Sequence, residues 1–85
     1  MKKFDYTIKD EIGIHARPAG MLAKTAKGVE STVTIEKGGK SAVATKLMAV
    51  MGLGVKCGDT VTVTVEGADE DTAVKTIQEF FENNL

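Results

Sequence analysis

The segment from residue 11 to residue 20 reads EIGIHARPAG and contains the one histidine and the one proline of this 85-residue chain. A neutral imidazole has a ring nitrogen that can attack phosphorus, and the planar guanidinium of Arg17, close to His15, matches the oxygens of a phosphate. Phosphoryl transfer needs chiefly positioning of the group and neutralisation of its charge. These residue types and their spacing therefore indicate that His15 accepts a phosphoryl group and that Arg17 steadies it.

A helix is predicted to begin just after this pair. Pro18 is tolerated in a first helical turn because the amide that it lacks would have no intrahelical partner there. Apolar residues recur at helical spacing over residues 19–26, and Gly28 stands where a C-terminal cap is expected. The helix should therefore end near Lys27.

The predicted start of this helix is a site for an anion. Backbone amides in the first turn have no intrahelical acceptor, and the helix dipole adds positive potential there. We expect phosphate binding around Ala16, Arg17 and Pro18, and the same field should lower the pKa of His15 and keep its lone pair available.

Two other interpretations of the histidine stay open on these residues alone. A single histidine beside a helix cap is commonly an ordinary surface residue. A small enzyme with His15 as general base is a further alternative, but the motif contains no second titratable group or nucleophile to accompany it.

Period-2 alternation predicts four strands, over residues 4–8, 32–36, 41–44 and 60–65. Gly38 and Gly39 suit a tight hairpin between the second and third strands, because such turns need positive φ. A two-turn helix is predicted within residues 46–53, and a last helix with Asp69, Glu70 and Asp71 capping its start. The order β-α-β-β-α-β-α indicates an α+β fold, with helices on one side of an antiparallel sheet.

Composition narrows the class of protein. The length fits one domain over residues 1–85, and a net charge of −1 argues against a nucleic-acid binder. No apolar run approaches the ~20 residues of a membrane span, and no secretory signal is apparent. One histidine and the lone Cys57 supply neither a metal cluster nor a disulfide, so we expect no metal and a cytoplasmic setting.

The exposed face of the first predicted helix is expected to receive a partner protein. At about 100° per residue, Gly20, Met21, Lys24 and Lys27 project away from the apolar stripe. The glycine beside the histidine indicates either a close approach by another backbone or chance. Adaptable methionines at positions 48 and 51 suit a surface with several partners, although filling of the core explains them equally well.

The octapeptide GIHARPAG at residues 13–20 is similar to the active-site signature of HPr, the histidine-containing phosphocarrier family of the bacterial phosphoenolpyruvate:sugar phosphotransferase system. The similarity extends through the Gly-Gly hairpin, the apolar segment 47–51 and the sequence GADE at 67–70. It implies an open-faced β-sandwich, a four-stranded antiparallel sheet of order 1-4-2-3 covered on one face by three helices. Periodicity alone does not establish that order.

The resemblance also implies a function. Nδ1 of His15 would take a phosphoryl group from phosphorylated enzyme I, charged by phosphoenolpyruvate, and pass it to the A component of a sugar permease. Such a protein is a covalent relay, and no cofactor is expected. No long hydrophobic surface in the sequence demands an oligomer, so we expect a monomer. Neither the sugar nor the permease downstream is indicated. The alternative is an HPr-like regulatory paralogue that acts mainly by protein binding. The implied docking residues are Gly20, Met21, Lys24, Leu47, Met48 and Met51.

One position departs from the pattern of many Gram-positive members. Lys46 stands where they carry a serine that a dedicated kinase modifies, so that form of regulation is not expected here. Ser41 and Thr45 are nearby hydroxyls, but neither occupies the matching position. We expect Lys46 to extend the positive ring of Lys24 and Lys27 around the docking residues and to favour acidic partners.

Overall fold

Seven elements follow one another in the predicted order. The computed structural model describes residues 1–14 and 16–85. Its elements are β1 (Lys2–Thr7), α1 (Ala16–Lys27), β2 (Thr32–Lys37), β3 (Lys40–Val43), α2 (Leu47–Gly52), β4 (Thr60–Glu66) and α3 (Glu70–Asn84).

The sheet is antiparallel in the order β1-β4-β2-β3, which confirms the order that the resemblance implied. The alternation of buried and half-buried side chains along β4 shows which face of the sheet the helices cover. Val61, Val63 and Val65 are fully buried, whereas the threonines between them point to the other face and are half-buried. The helices therefore cover one face, as predicted, and the other is the open face of the sandwich.

Phe81 of α3 lies at the centre of the packing between this helix and the sheet. Its ring meets those of Phe4 and Tyr6 on β1 edge to face, with centroids 5.8 Å and 5.5 Å away, and it is fully buried. Edge-to-face pairs of this kind add to the free energy of burial. They hold α3 against β1.

The β2–β3 hairpin turns through Gly38 and Gly39, which have φ of +56° and +83°. Residues with a Cβ are disfavoured at positive φ. The prediction of a tight Gly-Gly hairpin is therefore confirmed.

The end of α1 differs from its prediction in one respect. The helix ends at Lys27 as expected, but Gly28 lacks the positive φ of a left-handed glycine cap. The N–H of Gly28 instead donates to the Thr25 carbonyl at 3.1 Å, three residues back, which tightens the last turn. The predicted type of cap is wrong.

The prediction that Asp69 caps α3 with its side chain is also wrong. Asp69 occupies the N-cap position without such a bond. Its carboxylate accepts hydrogen bonds from the backbone N–H of Glu30 (3.0 Å) and Ser31 (2.9 Å), and from the Ser31 hydroxyl. The hydroxyl above all, followed by the backbone donors, lowers the pKa of Asp69. This carboxylate ties the start of α3 to the loop before β2.

Over residues 1–14 and 16–85, no helix is long and apolar enough to cross a membrane. Acidic and cysteine side chains in these same residues form no group of three or more that would hold a metal ion. Cys57 is exposed.

Candidate functional site

His15 lies outside the described residues, and so do the predictions that it accepts a phosphoryl group and that its pKa is lowered. The structure describes the residues on either side of it. The backbone before it is closely held. Oδ1 of Asp10 accepts from the N–H of Ile12 at 2.9 Å, and the carbonyl of Asp10 accepts from the N–H of Gly13 at 3.0 Å. These two bonds close a turn over residues 10–13.

Gly13 is a glycine for two physical reasons. Its φ is +84°, and a Cβ there would lie 2.4 Å from the carbonyl oxygen of Val55. The same oxygen accepts a hydrogen bond from the N–H of Ile14 at 3.1 Å. Close contact with Val55 therefore fixes the backbone two residues before the phosphoryl acceptor that we predict.

After His15, α1 begins at Ala16. Arg17 thus lies within the first helical turn, and its predicted position before that turn is wrong. The N–H groups of Ala16 and Arg17 have no intrahelical acceptor, because the residues four positions earlier precede the helix. Pro18 is buried and contributes no N–H, so it shapes this end of α1 without donating to an anion.

One face of α1 is exposed along its length. Arg17, Met21 and Lys24 follow one another at helical spacing on that face, and all three are exposed, as is Lys27. The other side of the helix is buried: Pro18, Ala19, Leu22, Ala23 and Ala26. The predicted division of the helix into two faces is confirmed.

Gly20 lies on the exposed face and is half-buried. A Cβ at this position would have no atom within 4 Å. No close approach within the described chain therefore requires glycine there, and the space above it is open to a partner.

A surface depression of about 360 Å³ adjoins the start of α1. Its lining residues come from the turn before His15, from α1 and from the end of α3: Asp10, Ile12, Arg17, Pro18, Met21 and Asn84. The sequence predictions missed Asp10, Ile12 and Asn84. Ile12 is 67% exposed, and an apolar residue in an otherwise polar turn was the available signal.

α2 lies beside α1 and exposes apolar side chains at its start. Leu47 is 37% and Met48 is 76% exposed. Met51, one turn later, is half-buried and packs against the core. For this methionine, the alternative prediction of core filling is confirmed. Lys46 is the N-cap residue, exposed and extended, and its side chain makes no capping bond.

The salt bridges within the described residues lie elsewhere, between the N-terminal amine and Glu70, Lys2 and Asp71, and Lys37 and Asp59. Lys37 donates to Asp59 at 2.8 Å and, together with the backbone N–H of Lys56, lowers the pKa of that carboxyl. Bonds from the N-terminal amine and the N–H of Gly67 likewise lower the pKa of Glu70. Two of these pairs join the start of β1 to α3 and the third joins the end of β2 to the loop before β4. None of them includes the cations of α1 or Lys46, which are available to a partner.

Residues 2–83 match the family described as the PTS HPr component phosphorylation site. Among solved structures, the chain is similar to the histidine-containing phosphocarrier protein of Mycoplasma, with 35% identity over 96% of this chain and 93% of that one, and a TM-score of 0.92. It is also similar to HPr from Thermoanaerobacter tengcongensis, with 37% identity over 98% and 93% of the two chains and a TM-score of 0.92.

A third similar structure is Crh of Bacillus subtilis, described as a catabolite repression protein that forms a dimer with a swapped domain. Identity is 30% over 94% of this chain and 92% of that one, and the TM-score is 0.78. The fold is thus shared by phosphocarriers and by a protein named for catabolite repression.

Proposed function

The chain belongs to the PTS HPr family, and on that premise we propose that His15 accepts a phosphoryl group from phosphorylated enzyme I and passes it to the A component of a sugar permease. A phosphocarrier role in the phosphotransferase system follows from the family and the fold. The observation that supports the site is the start of α1, where the exposed Arg17 and two amides without an intrahelical acceptor directly follow His15 in the chain.

The proposed chemistry is two successive displacements at one phosphorus atom. The lone pair of Nδ1 of neutral His15 attacks phosphorus, and the bond from phosphorus to enzyme I breaks with its electron pair left on the donor. In the second transfer, a lone pair of a nucleophilic side chain on the A component attacks the same phosphorus atom. The N–P bond at His15 breaks as the new bond forms, and its electron pair returns to the ring. Arg17 and the amides at the helix start neutralise charge on the phosphoryl oxygens, which is the main requirement of such a transfer.

We further propose that both partners dock on one surface made by α1 and α2. This docking surface comprises Gly20, Met21, Lys24, Lys27, Lys46, Leu47, Met48 and Met51. Its exposed methionines provide apolar contact with adaptable shape, and its lysines favour an acidic counterpart. Met51 contributes less area than Met48 because it is half-buried.

A transfer assay tests this function. The chain is incubated with phosphoenolpyruvate and a catalytic amount of enzyme I, and its mass is measured before and after mild acid. Wild type should gain one acid-labile phosphoryl group, His15→Ala should gain none, and Arg17→Ala should gain it more slowly by about tenfold or more. Circular dichroism of the variants controls for folding. A folded wild type that accepts no phosphoryl group would contradict the proposal.

A second candidate function is a regulator that acts mainly by protein binding, and the similarity to Crh favours it. Transfer onward distinguishes the two. A carrier should donate its phosphoryl group to at least one member of a panel of A components, whereas a regulator would retain it or never receive it. The same panel identifies the permease served.

We also propose that the chain acts as a monomer in the cytoplasm. Within residues 1–14 and 16–85, no long exposed apolar strip demands a second copy. Light scattering coupled to size exclusion tests the oligomeric state. A stable dimer at micromolar concentration would contradict this part of the proposal.

A further inference from the structure

Asp10 places a carboxylate in the same surface depression as Arg17. We propose that Asp10 is a positioning residue that acts through Arg17: it competes with the phosphoryl group for the guanidinium and thereby raises the tendency of the phosphorylated protein to give the group away. This inference rests on the function proposed above. It concerns how readily His15 releases its phosphoryl group, not whether it receives one.

The backbone holds this carboxylate in place. Oδ1 of Asp10 accepts from the N–H of Ile12 at 2.9 Å, the Asp10 carbonyl accepts from the N–H of Gly13 at 3.0 Å, and the Asp10 N–H donates to a main-chain oxygen of Leu85 at 2.9 Å. A side chain fixed by its own turn cannot swing far from the depression. Its negative charge is therefore held in the depression that Arg17 also lines.

The charge of Asp10 is not neutralised by a close cation. The salt bridges among the described residues include neither Asp10 nor Arg17. The two groups share the depression without direct contact, so Arg17 can turn toward a new anion. A phosphoryl group carries a charge of about −1.5 to −2 near neutral pH and would have to share one guanidinium with the carboxylate.

The consequence is a difference between the two states of the carrier. Without the phosphoryl group, the carboxylate of Asp10 and the guanidinium of Arg17 line the same depression, and their opposite charges attract at a distance. When His15 carries the phosphoryl group, that group and the Asp10 carboxylate compete for the Arg17 guanidinium. The repulsion between the two anions opposes retention of the phosphoryl group. A carrier gains from this arrangement because it must release what it accepts.

The test is the equilibrium between phosphoenolpyruvate and the carrier. In that reaction the phosphoryl group leaves the enol oxygen of phosphoenolpyruvate and, by way of enzyme I, forms an N–P bond at His15. The enolate that remains is protonated to give pyruvate. A large excess of pyruvate keeps wild type only partly phosphorylated, and the phosphorylated fraction is measured by native electrophoresis. A pH of about 8 keeps an imidazole of ordinary pKa neutral.

Asp10→Asn keeps an oxygen for the Ile12 N–H and removes the charge. It should shift the equilibrium about threefold toward the phosphorylated carrier. The shift should be smaller in 1 M salt, because the Debye screening length falls to about 3 Å there. Glu11→Gln is the matched control, because Glu11 is an exposed neighbouring carboxylate outside the depression. It should leave the equilibrium unchanged.

Equal equilibria for wild type and Asp10→Asn would overturn the inference while leaving the proposed function intact. An equal shift by Glu11→Gln, or a shift that salt does not reduce, would also overturn it. Asp10→Ala loses both the charge and the turn bond; a change confined to that variant would make Asp10 a turn residue only. Failure of wild type to accept any phosphoryl group would instead overturn the proposed function itself.

Discussion

α2 and α3 belong to the same helical layer, but they differ in the exposure of their large apolar side chains. α3 buries its large apolar residues against β1 and β4, with Phe81 fully buried. α2 buries Val50 and leaves Leu47 and Met48 in water. Apolar area in water costs free energy that folding does not recover. The difference indicates that α3 serves stability, and it supports the proposal that α2 contacts a partner.

The largest effect is expected on the free energy of unfolding, from a substitution in α3. Phe81→Ala removes the ring at the centre of the contact between α3 and β1, and should lower the free energy of unfolding by about 3–5 kcal/mol. Met48→Ala should change it by no more than about 0.5 kcal/mol, because the side chain is 76% exposed. Urea denaturation measures both. Similar losses for the two variants would refute the division between the helices.

The turn before His15 extends the comparison, because it adjoins the proposed site and yet holds one crowded, buried residue, Gly13. Gly13→Ala should cost about 2 kcal/mol or more, from positive φ and the overlap with Val55. Gly39→Ala is the matched control: its φ is +83° against +84° for Gly13, but nothing lies within 4 Å of its Cβ. That variant should cost about 1 kcal/mol. An equal cost would show that crowding at Gly13 contributes nothing.

On the exposed side, Met48→Ala should slow transfer from enzyme I by raising the KM about tenfold, as expected for loss of a central interface contact. Val43→Ala is the control, since Val43 is 37% exposed but lies on β3, outside the docking surface. Initial rates at several carrier concentrations separate KM from kcat. Equal KM values for wild type and Met48→Ala would remove α2 from the proposed interface.

The smallest effect is expected at Lys46. Lys46→Glu reverses a rim charge and should slow transfer about threefold at low salt, with the difference fading as ionic strength rises. Lys40→Glu reverses an exposed charge on β3 and serves as control. If both substitutions slow transfer alike, the effect belongs to net charge and not to the docking surface.

Local patterns predicted the elements well, because strand alternation and helix periodicity depend on neighbours in the chain. The four strands, the Gly38-Gly39 turn and the two faces of α1 are of this kind. The bounds differed by a few residues at most: β3 starts at Lys40 and α1 at Ala16. The strand order needed the family resemblance, since periodicity says nothing of which strands pair.

The prediction for Asp69 failed, and Asn84 was missed, because both depend on contacts between distant parts of the chain. Asp69 looks like a helix cap in sequence, but Ser31 and Glu30 offer it three donors that only the folded chain brings near. Asn84 reaches the depression beside Arg17 from the far end of α3. No spacing rule links residues so far apart, and the structure alone brings them together.

The central claim, that His15 carries the phosphoryl group, is tested most directly by nuclear magnetic resonance of the ring nitrogens. The chain is labelled with ¹⁵N in its single histidine and phosphorylated by enzyme I and phosphoenolpyruvate. Coupling between ³¹P and Nδ1 of that histidine is the predicted result. Phosphorus bonded to another residue or to Nε2, or no ³¹P signal on a folded chain, would contradict the account.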